Sequence, residues 1–266
     1  MKTTLVTAPN YYALSLAGAK EHLRVDHTDD DSYISLLIGA ATEKAEEYLC
    51  RKLITQTWKV FLDGWPCYDE IVLPFGQLNS ITHVKYKDTD GDQTTWDSST
   101  EYLTDTDTDP GRIVLAYGKA FPTATLYPAN PIEIQFVCGY GAHTPQTITA
   151  ATNATPIVAT ITPHGYSTGD AVYVSGGTTL TAINGLWRIT STGANTFSLT
   201  GSVGNGAYDA SSATCNLVDV PVAVVQALQL MVADLYENRE TLIINLTPSK
   251  LRTVESLLYP HRIWGF

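Results

Sequence analysis

Two stretches of alternating aspartates have the residue types and spacing that could hold a calcium ion. One places Asp88, Asp90 and Asp92 around a glycine, and the other runs from 105 to 109. An EF-hand loop also needs glycine at position 6 and a bidentate glutamate at position 12. Counted from residue 105 those positions are Pro110 and Ala116, and counting from Asp88 also misplaces the glycine. Solvated turns rich in Asp and Gly are the better interpretation.

Other candidate sites fail on similar grounds. The acidic run at 26–31 precedes a helical pattern, where carboxylates favour the positive helix end, so we interpret it as a turn and helix cap. The six histidines have no metal-ligand spacing, the glycine-rich stretch 201–206 lacks the Lys-Ser/Thr of a phosphate loop, and no Gly-x-Ser-x-Gly elbow is present. The sequence therefore predicts no catalytic, cofactor-binding or metal-binding residue, and a protein that is not an enzyme.

The C-terminal segment has the composition of a binding site. Its candidate residues are Tyr259, Pro260, His261, Arg262, Ile263, Trp264 and Phe266. After Pro260, a helix of their own cannot bury all of the apolar side chains. Two alternatives follow: the segment folds back onto the core, or it protrudes as an anchor into a partner. Aromatic anchors are frequent hot spots of interfaces, and a free apolar tail would otherwise be a liability.

Helical patterns lie at both ends of the chain. Ser15 is expected to cap a short helix that ends near Leu23, and apolar residues at helical spacing predict a longer helix over 31–51. Between 55 and 138, short alternating runs predict a small, mostly antiparallel sheet. Helical periodicity returns over 219–240, with Asp219 as the expected cap, and again over 247–258.

The stretch from 144 to 217 differs sharply in composition. Thr, Ser, Gly, Ala and Asn dominate it, and it contains no lysine. Short β-rich runs separated by turn signals predict an all-β module, with Trp187, Ile189 and Phe197 as its core. The predicted fold class is α+β: an N- and C-terminal helical bundle with a small antiparallel sheet (1–143 and 218–266), plus an inserted all-β domain (144–217), sandwich or barrel-like.

Charge and apolar patterning limit the classes of partner. The formal net charge of −11 does not favour non-specific binding of nucleic acid. No apolar run is long enough to span a bilayer and the N-terminus has no secretory pattern, so we expect no membrane association. The four cysteines match no metal or redox motif and are expected to be buried or semi-buried thiols.

Several ordered segments together resemble the head–tail connector (neck adaptor) proteins of tailed bacteriophages. They are residues 16–27 (LAGAKEHLRVDH), 51–58 (RKLITQTW), 73–74 with 78–86 (LNSITHVKY), 110–117 (PGRIVLAY), 137–140 (VCGY) and 235–240 (LYENRE). The resemblance covers roughly 14–143 and 218–262. The inserted β stretch is a departure from the compact members of the family.

The resemblance implies a structural virion protein at the neck, assembled in the host cytoplasm. It implies a ring of twelve copies that joins the portal protein to a downstream stopper, tail terminator or tail protein, with DNA passing through the channel without specific binding. It further implies that the C-terminal segment, from Tyr259 to Phe266, docks on the portal. The alternative is a monomeric surface- or carbohydrate-binding β module on a helical scaffold, which an aromatic-lined groove on the insertion would support.

Overall fold

The computed structural model describes residues 1–141, 143–209, 213–238 and 252–264. Within them, the helices are α1 (Leu16–Leu23), α2 (Asp31–Leu49), α3 (Val222–Glu237) and α4 (Arg252–Leu258), with short 3-10 turns at Thr181–Ile183 and Tyr259–His261. The strands of the first part are β1 (Lys2–Thr7), β2 (Gln56–Leu62), β3 (Glu70–Val72), β4 (Leu78–Lys87), β5 (Gln93–Trp96), β6 (Tyr102–Asp105), β7 (Arg112–Leu115) and β8 (Ile132–Cys138). The strands of the second part are β9 (Gln146–Thr147), β10 (Ala150–Ala151), β11 (Val158–Thr160), β12 (Ala171–Ser175), β13 (Gly185–Ser191), β14 (Thr196–Leu199) and β15 (Thr214–Val218).

The chain forms two compact units. Unit 1 comprises the described parts of 1–10, 39–142 and 242–266, and unit 2 comprises those of 11–38 and 143–241. Helix α2 contributes its first residues to unit 2 and the rest to unit 1. The α+β fold class with an inserted β region is confirmed. The domain boundaries at 144 and 217 stay a prediction.

Unit 1 is built from two antiparallel sheets. The larger has the strand order β1-β2-β8-β4-β5, and the smaller has the order β3-β7-β6. Their apolar faces share one core, in which Phe136, Ile134 and Ile132 of the central strand β8 are fully buried beside Ile113 and Leu73. The predicted strand over Ile132–Cys138 is confirmed as β8, and every second residue of it is buried.

The end of helix α2 is fixed by side chains as well as by backbone. Cys50 takes a left-handed conformation (φ 54°) that stops the helix two residues before the predicted end. The Glu46 carboxylate then accepts the backbone N–H of Leu53 (2.9 Å) and a bond from Lys52 Nζ (2.8 Å). One carboxylate therefore holds the chain as it turns from the helix towards the sheet.

Unit 2 centres on an antiparallel seven-stranded sheet of order β10-β11-β14-β13-β12-β15-β9. Phe197 and Ile189 are buried in its core, as predicted, and Trp187 packs against that core while partly exposed. Helices α1 and α3 belong to the same unit and contact each other. Ser15 caps α1 as predicted, because its Oγ accepts the N–H of Gly18 at 3.1 Å.

Several predictions of detail were wrong. The N-cap of α3 is Pro221, with no side-chain cap bond, where Asp219 was expected. Strand β1 was not predicted; none of its six residues is buried, so it lacks the alternation that marks a half-buried strand. Cys67 is exposed, contrary to the expectation for the cysteines, whereas Cys138 and Cys215 are buried thiols. The expected start of the last helix near Thr247 lies outside the described residues.

Candidate functional site

The C-terminal segment continues from helix α4 into a single 3-10 turn. Pro260 occupies the start of that turn, where its missing N–H leaves no bond unmade. Arg262 is extended (φ −77°, ψ 138°) and ends the turn. After this turn, the chain contacts the end of helix α2 in unit 1.

Ile263 is the residue that anchors the segment to unit 1. Its N–H donates to the carbonyl oxygen of Leu49 at 3.0 Å, and Leu49 is the last residue of α2, whose carbonyl has no partner within the helix. Its side chain is 6% exposed. It lies over Gly76 (φ +85°), where a Cβ would stand 2.7 Å from Ile263 Cδ1. The pocket exists because residue 76 has no side chain.

Beside this buried anchor stands a pair of exposed rings. Tyr259 is 57% exposed and Trp264 is 59% exposed, and their ring centroids are 5.1 Å apart at an interplanar angle of 62°. The Arg262 guanidinium carbon lies 4.5 Å from the Trp264 ring centroid and 5.0 Å from that of Tyr48 on α2. Cation–π contacts of this kind hold both the arginine and the tryptophan in place. We call Tyr259, Arg262 and Trp264 the C-terminal aromatic patch.

The sequence left two alternatives for this segment, and the structure shows some of its residues following one and some the other. Ile263 folds back onto the core, while Tyr259 and Trp264 present their rings to solvent. Pro260 is exposed and His261 is half-buried between them. Phe266 lies outside the described residues. The portal-docking role of the segment stays a prediction, and the geometry adds that Trp264 follows directly on a buried anchor.

A buried arginine that sequence reasoning did not single out supports this arrangement. Arg51 donates to the Tyr140 hydroxyl at 2.6 Å and forms an ion pair with Asp109. Its Cβ would be 2.8 Å from a Cβ on residue 76, so Arg51 and Ile263 line the same small space. The signal in the sequence is the position of Arg51 just after helix α2, where a cation interacts favourably with the helix dipole. Its partners are 58 and 89 residues away in sequence, so no local pattern predicts them.

The aspartate stretches form turns, as predicted. Asp88 Oδ1 accepts the N–H groups of Asp90 (3.1 Å) and Asp92 (3.0 Å), which closes the hairpin. The hydrogen bond from Arg112 holds the pKa of the Asp105 carboxyl below its usual value. Among the described residues no group of three or more His, Cys, Asp or Glu side chains is arranged to hold a metal ion. In the same residues, no helix combines the length and apolarity that crossing a bilayer requires.

A cleft of about 780 Å³ lies within unit 2, between α1, α3 and the seven-stranded sheet. Trp187 is the one aromatic residue among the described residues that line it. Its indole N–H already donates to the carbonyl oxygen of Ile183 at 2.8 Å. Tyr166 packs edge-on against buried Phe197, and Tyr173 stacks on Tyr11 at 4.0 Å between centroids. These aromatic residues of the insertion are thus used in packing within unit 2, which does not favour the carbohydrate-binding alternative.

Comparisons with known proteins bear out the resemblance. Residues 14–109 match the family model described as phage gp6-like head-tail connector protein. No curated protein sequence matches the chain. Three similar solved structures are described as "Neck of empty GTA particle computed with C6 symmetry" (TM-score 0.58), "Virion of native gene transfer agent (GTA) particle" (0.58) and "Neck of native GTA particle computed with C12 symmetry" (0.57). Each matched chain is 19% identical to this one, and each alignment covers 98% of this chain and 95% of the matched chain. At this identity the likeness establishes a shared fold.

Proposed function

We propose that this protein is a non-enzymatic structural component of the neck of a phage-like particle. Twelve copies of the chain form a ring that joins the portal to a downstream stopper, tail terminator or tail protein. The ring lines the channel through which DNA leaves the capsid, without specific binding of DNA. The observation that carries the proposal is the shared fold over 98% of this chain with chains from solved necks, one of them computed with C12 symmetry.

The family model adds support from an independent direction. It matches residues 14–109, which include helices α1 and α2 and the five strands β2 to β6. That stretch runs through both compact units. The matched region therefore supplies helices and sheets from which a ring can be built, and residues outside the match are available for contacts particular to this protein.

The C-terminal aromatic patch is the proposed contact with the portal. An anchor residue binds best when little side-chain freedom is lost on association, and Trp264 is already held between Arg262 and Tyr259. Truncation of a hot-spot aromatic residue typically costs more than about 2 kcal/mol of binding free energy, or about thirtyfold in affinity. Buried Ile263 sets the position of the patch without offering a surface of its own.

The test uses the full-length protein and the portal protein of the same particle. Wild-type protein mixed with assembled portal is expected to give a complex whose mass, by native mass spectrometry, corresponds to twelve copies per portal. Trp264→Ala is expected to weaken portal binding by about thirtyfold or more. Tyr117→Ala is the matched control, because Tyr117 is fully exposed in unit 1 and lies outside the C-terminal segment.

Two outcomes count against the proposal. If wild-type protein fails to bind the portal at any ratio, the neck function is wrong. If Trp264→Ala and Tyr117→Ala bind the portal equally well, the protein is still a portal-binding component, but the C-terminal aromatic patch is not its docking surface.

A further inference from the structure

The five-stranded sheet of unit 1 has one face packed on the core and one outer face that is rich in lysine. Residues directly opposite one another on neighbouring strands share a face. Strand pairing aligns Lys2, Phe61, Glu133 and Lys85 in one row that crosses β1, β2, β8 and β4. The next row contains Lys59 and His83, and Lys87 follows Lys85 at the period of a strand. We call this surface the basic sheet face.

The lysines of this face exceed the carboxylates available to them. Glu133 is the one acidic residue in the rows, and its carboxylate is occupied by Lys59 Nζ (2.7 Å) and His83 Nε2 (3.0 Å). Four described lysines have no ion pair in the described residues: Lys2, Lys44, Lys85 and Lys87. Three of these four lie on the basic sheet face. In a chain with 27 acidic and 16 basic residues, unpaired lysine is thus concentrated on one face of one sheet.

The same unit contains a surface of opposite charge. Residues 88–109, which include strands β5 and β6, contain eight acidic residues and no Lys or Arg. Three of the eight are paired with Arg51, Arg112 and Lys119. The other five have no ion pair within the described part of the chain: Asp88, Asp90, Asp92, Asp97 and Asp107. We call residues 88–109 the acidic segment.

The positions of these two surfaces suit a head-to-tail contact between copies. Lys2 lies on β1 at one edge of the five-stranded sheet, whereas β5, at the opposite edge, belongs to the acidic segment. A contact between two different surfaces of identical chains is heterologous, and it closes into a ring when the rotation per copy allows it. We propose that the basic sheet face of one copy binds the acidic segment of the next copy. This inference rests on the proposed ring and names the surfaces that build it.

A second copy fits the basic sheet face better than DNA does. Four lysines are offset by Glu133 on the same face and by the aspartates of the hairpin that follows Lys87. A duplex would meet that hairpin with like charge, whereas the acidic segment of another copy supplies carboxylates without a phosphate backbone of high charge density. Lysines bound in this contact would not be free to bind DNA in the proposed channel, in agreement with passage of DNA without specific binding.

The experiment measures self-association of the full-length protein by sedimentation velocity over a concentration series, in about 0.05 M and about 0.5 M salt. The face variant is Lys2→Glu with Lys85→Glu, and the segment variant is Asp90→Lys with Asp107→Lys, since these side chains make no hydrogen bond in the described residues. Each reversal is expected to weaken association about tenfold or more, and high salt should weaken it in the wild type, because like charges repel and salt screens attraction. The variant that combines all four substitutions, so that the charges of both surfaces are reversed, is expected to recover wild-type association.

Lys44→Glu is the matched control, because Lys44 is an exposed lysine on α2, outside the sheet, and has no ion pair in the described residues. It is expected to associate as the wild type does. Thermal unfolding of each variant checks the fold, and the neutral pair Lys2→Gln with Lys85→Gln, expected to lose less affinity, provides a second measurement if the reversed pair unfolds.

Three results would overturn the inference. The wild-type protein stays monomeric, or the reversal variants associate as well as the wild type. In the third, the wild type binds duplex DNA and the face variant does not, while the face variant still self-associates. The proposed function is judged separately, by portal binding. Copies that associate through these surfaces but ignore the portal would support the inference and contradict the neck function.

Discussion

The two large sheets of this protein are both antiparallel, yet their polar surfaces differ in kind. The five-stranded sheet of unit 1 carries lysines and a glutamate on its outer face, and an acidic segment at one edge. The region 144–217, which includes almost all of the seven-stranded sheet of unit 2, contains two aspartates, one arginine and no lysine or glutamate. The β module of 144–217 therefore offers few charges to a partner, whereas the outer face and one edge of the sheet in unit 1 offer many.

The polar side chains of the β module bond within the module. Asn184 exchanges two hydrogen bonds of 2.8 Å with the backbone of Gly177, and Asn205 bonds to Thr181 and to the N–H of Ala182. Short polar side chains that bond to nearby backbone define turns, and few of their donors and acceptors are then left for a partner. Unit 1 therefore carries the charged surfaces suited to assembly, whereas these turn residues of the β module bond to their own neighbours.

The largest expected effect tests whether the two units are separate in stability. Phe136 and Phe197 are fully buried, one in each core, and their truncation to alanine should cost about 3–5 kcal/mol of unfolding free energy. Trp187 is the one tryptophan in the sequence of unit 2, so fluorescence of a variant that retains only Trp187 reports that unit. In urea unfolding, Phe197→Ala should shift the Trp187 signal, and Phe136→Ala should shift the signal of the other tryptophans.

The control for the two phenylalanine variants is a substitution at an exposed site of unit 1. Tyr117→Ala, at a fully exposed site, should leave both transitions unchanged within about 0.5 kcal/mol. If either phenylalanine variant moves both signals by the same amount, the two units unfold as one cooperative body, and the comparison between them concerns surface alone.

Local chemistry allowed much of the fold to be predicted, and distant contacts limited the rest. Ser15 as a cap and the strand β8 depend on neighbours in sequence, and both were predicted correctly. The separation of buried Ile263 from exposed Trp264 could not be predicted, because the pocket that holds Ile263 is formed by Leu49 and Gly76. Strand β1 was missed because pairing with β2 defines it rather than burial of a face.

A smaller effect is expected at Gly76, where unit 1 holds the C-terminal segment. Gly76→Ala forces a Cβ to within 2.7 Å of Ile263 at a positive φ, whereas Gly91 has nearly the same φ (+87°) and nothing within 4 Å. Gly91→Ala should cost about 1 kcal/mol of unfolding free energy for the backbone alone, and Gly76→Ala about 1–3 kcal/mol more, for the crowding. Urea unfolding measures both. Equal losses would mean that Ile263 moves aside without cost and is not a firm anchor for Trp264.

The smallest expected effect concerns Glu133, at the centre of the basic sheet face. Burial raises the pKa of Glu133, but the hydrogen bonds and charges of Lys59 and His83 outweigh burial and hold that pKa below the ordinary value of 4.5. A carboxyl whose pKa is lowered by folding stabilises the protein above its unfolded pKa, and that contribution is lost as pH falls through the folded pKa. Unit 1 should therefore lose stability as the pH drops below about 4.5. Glu133→Gln should cost about 1 kcal/mol or less of unfolding free energy at pH 7 and reduce the loss of stability at low pH, as followed by thermal unfolding across pH.

Glu43→Gln, which changes an exposed carboxyl without an ion pair in the described residues, should keep the wild-type pH profile. If the two glutamine variants show the same pH profile, the contacts of Glu133 add nothing to folding, and all four lysines of the face are then available to a partner.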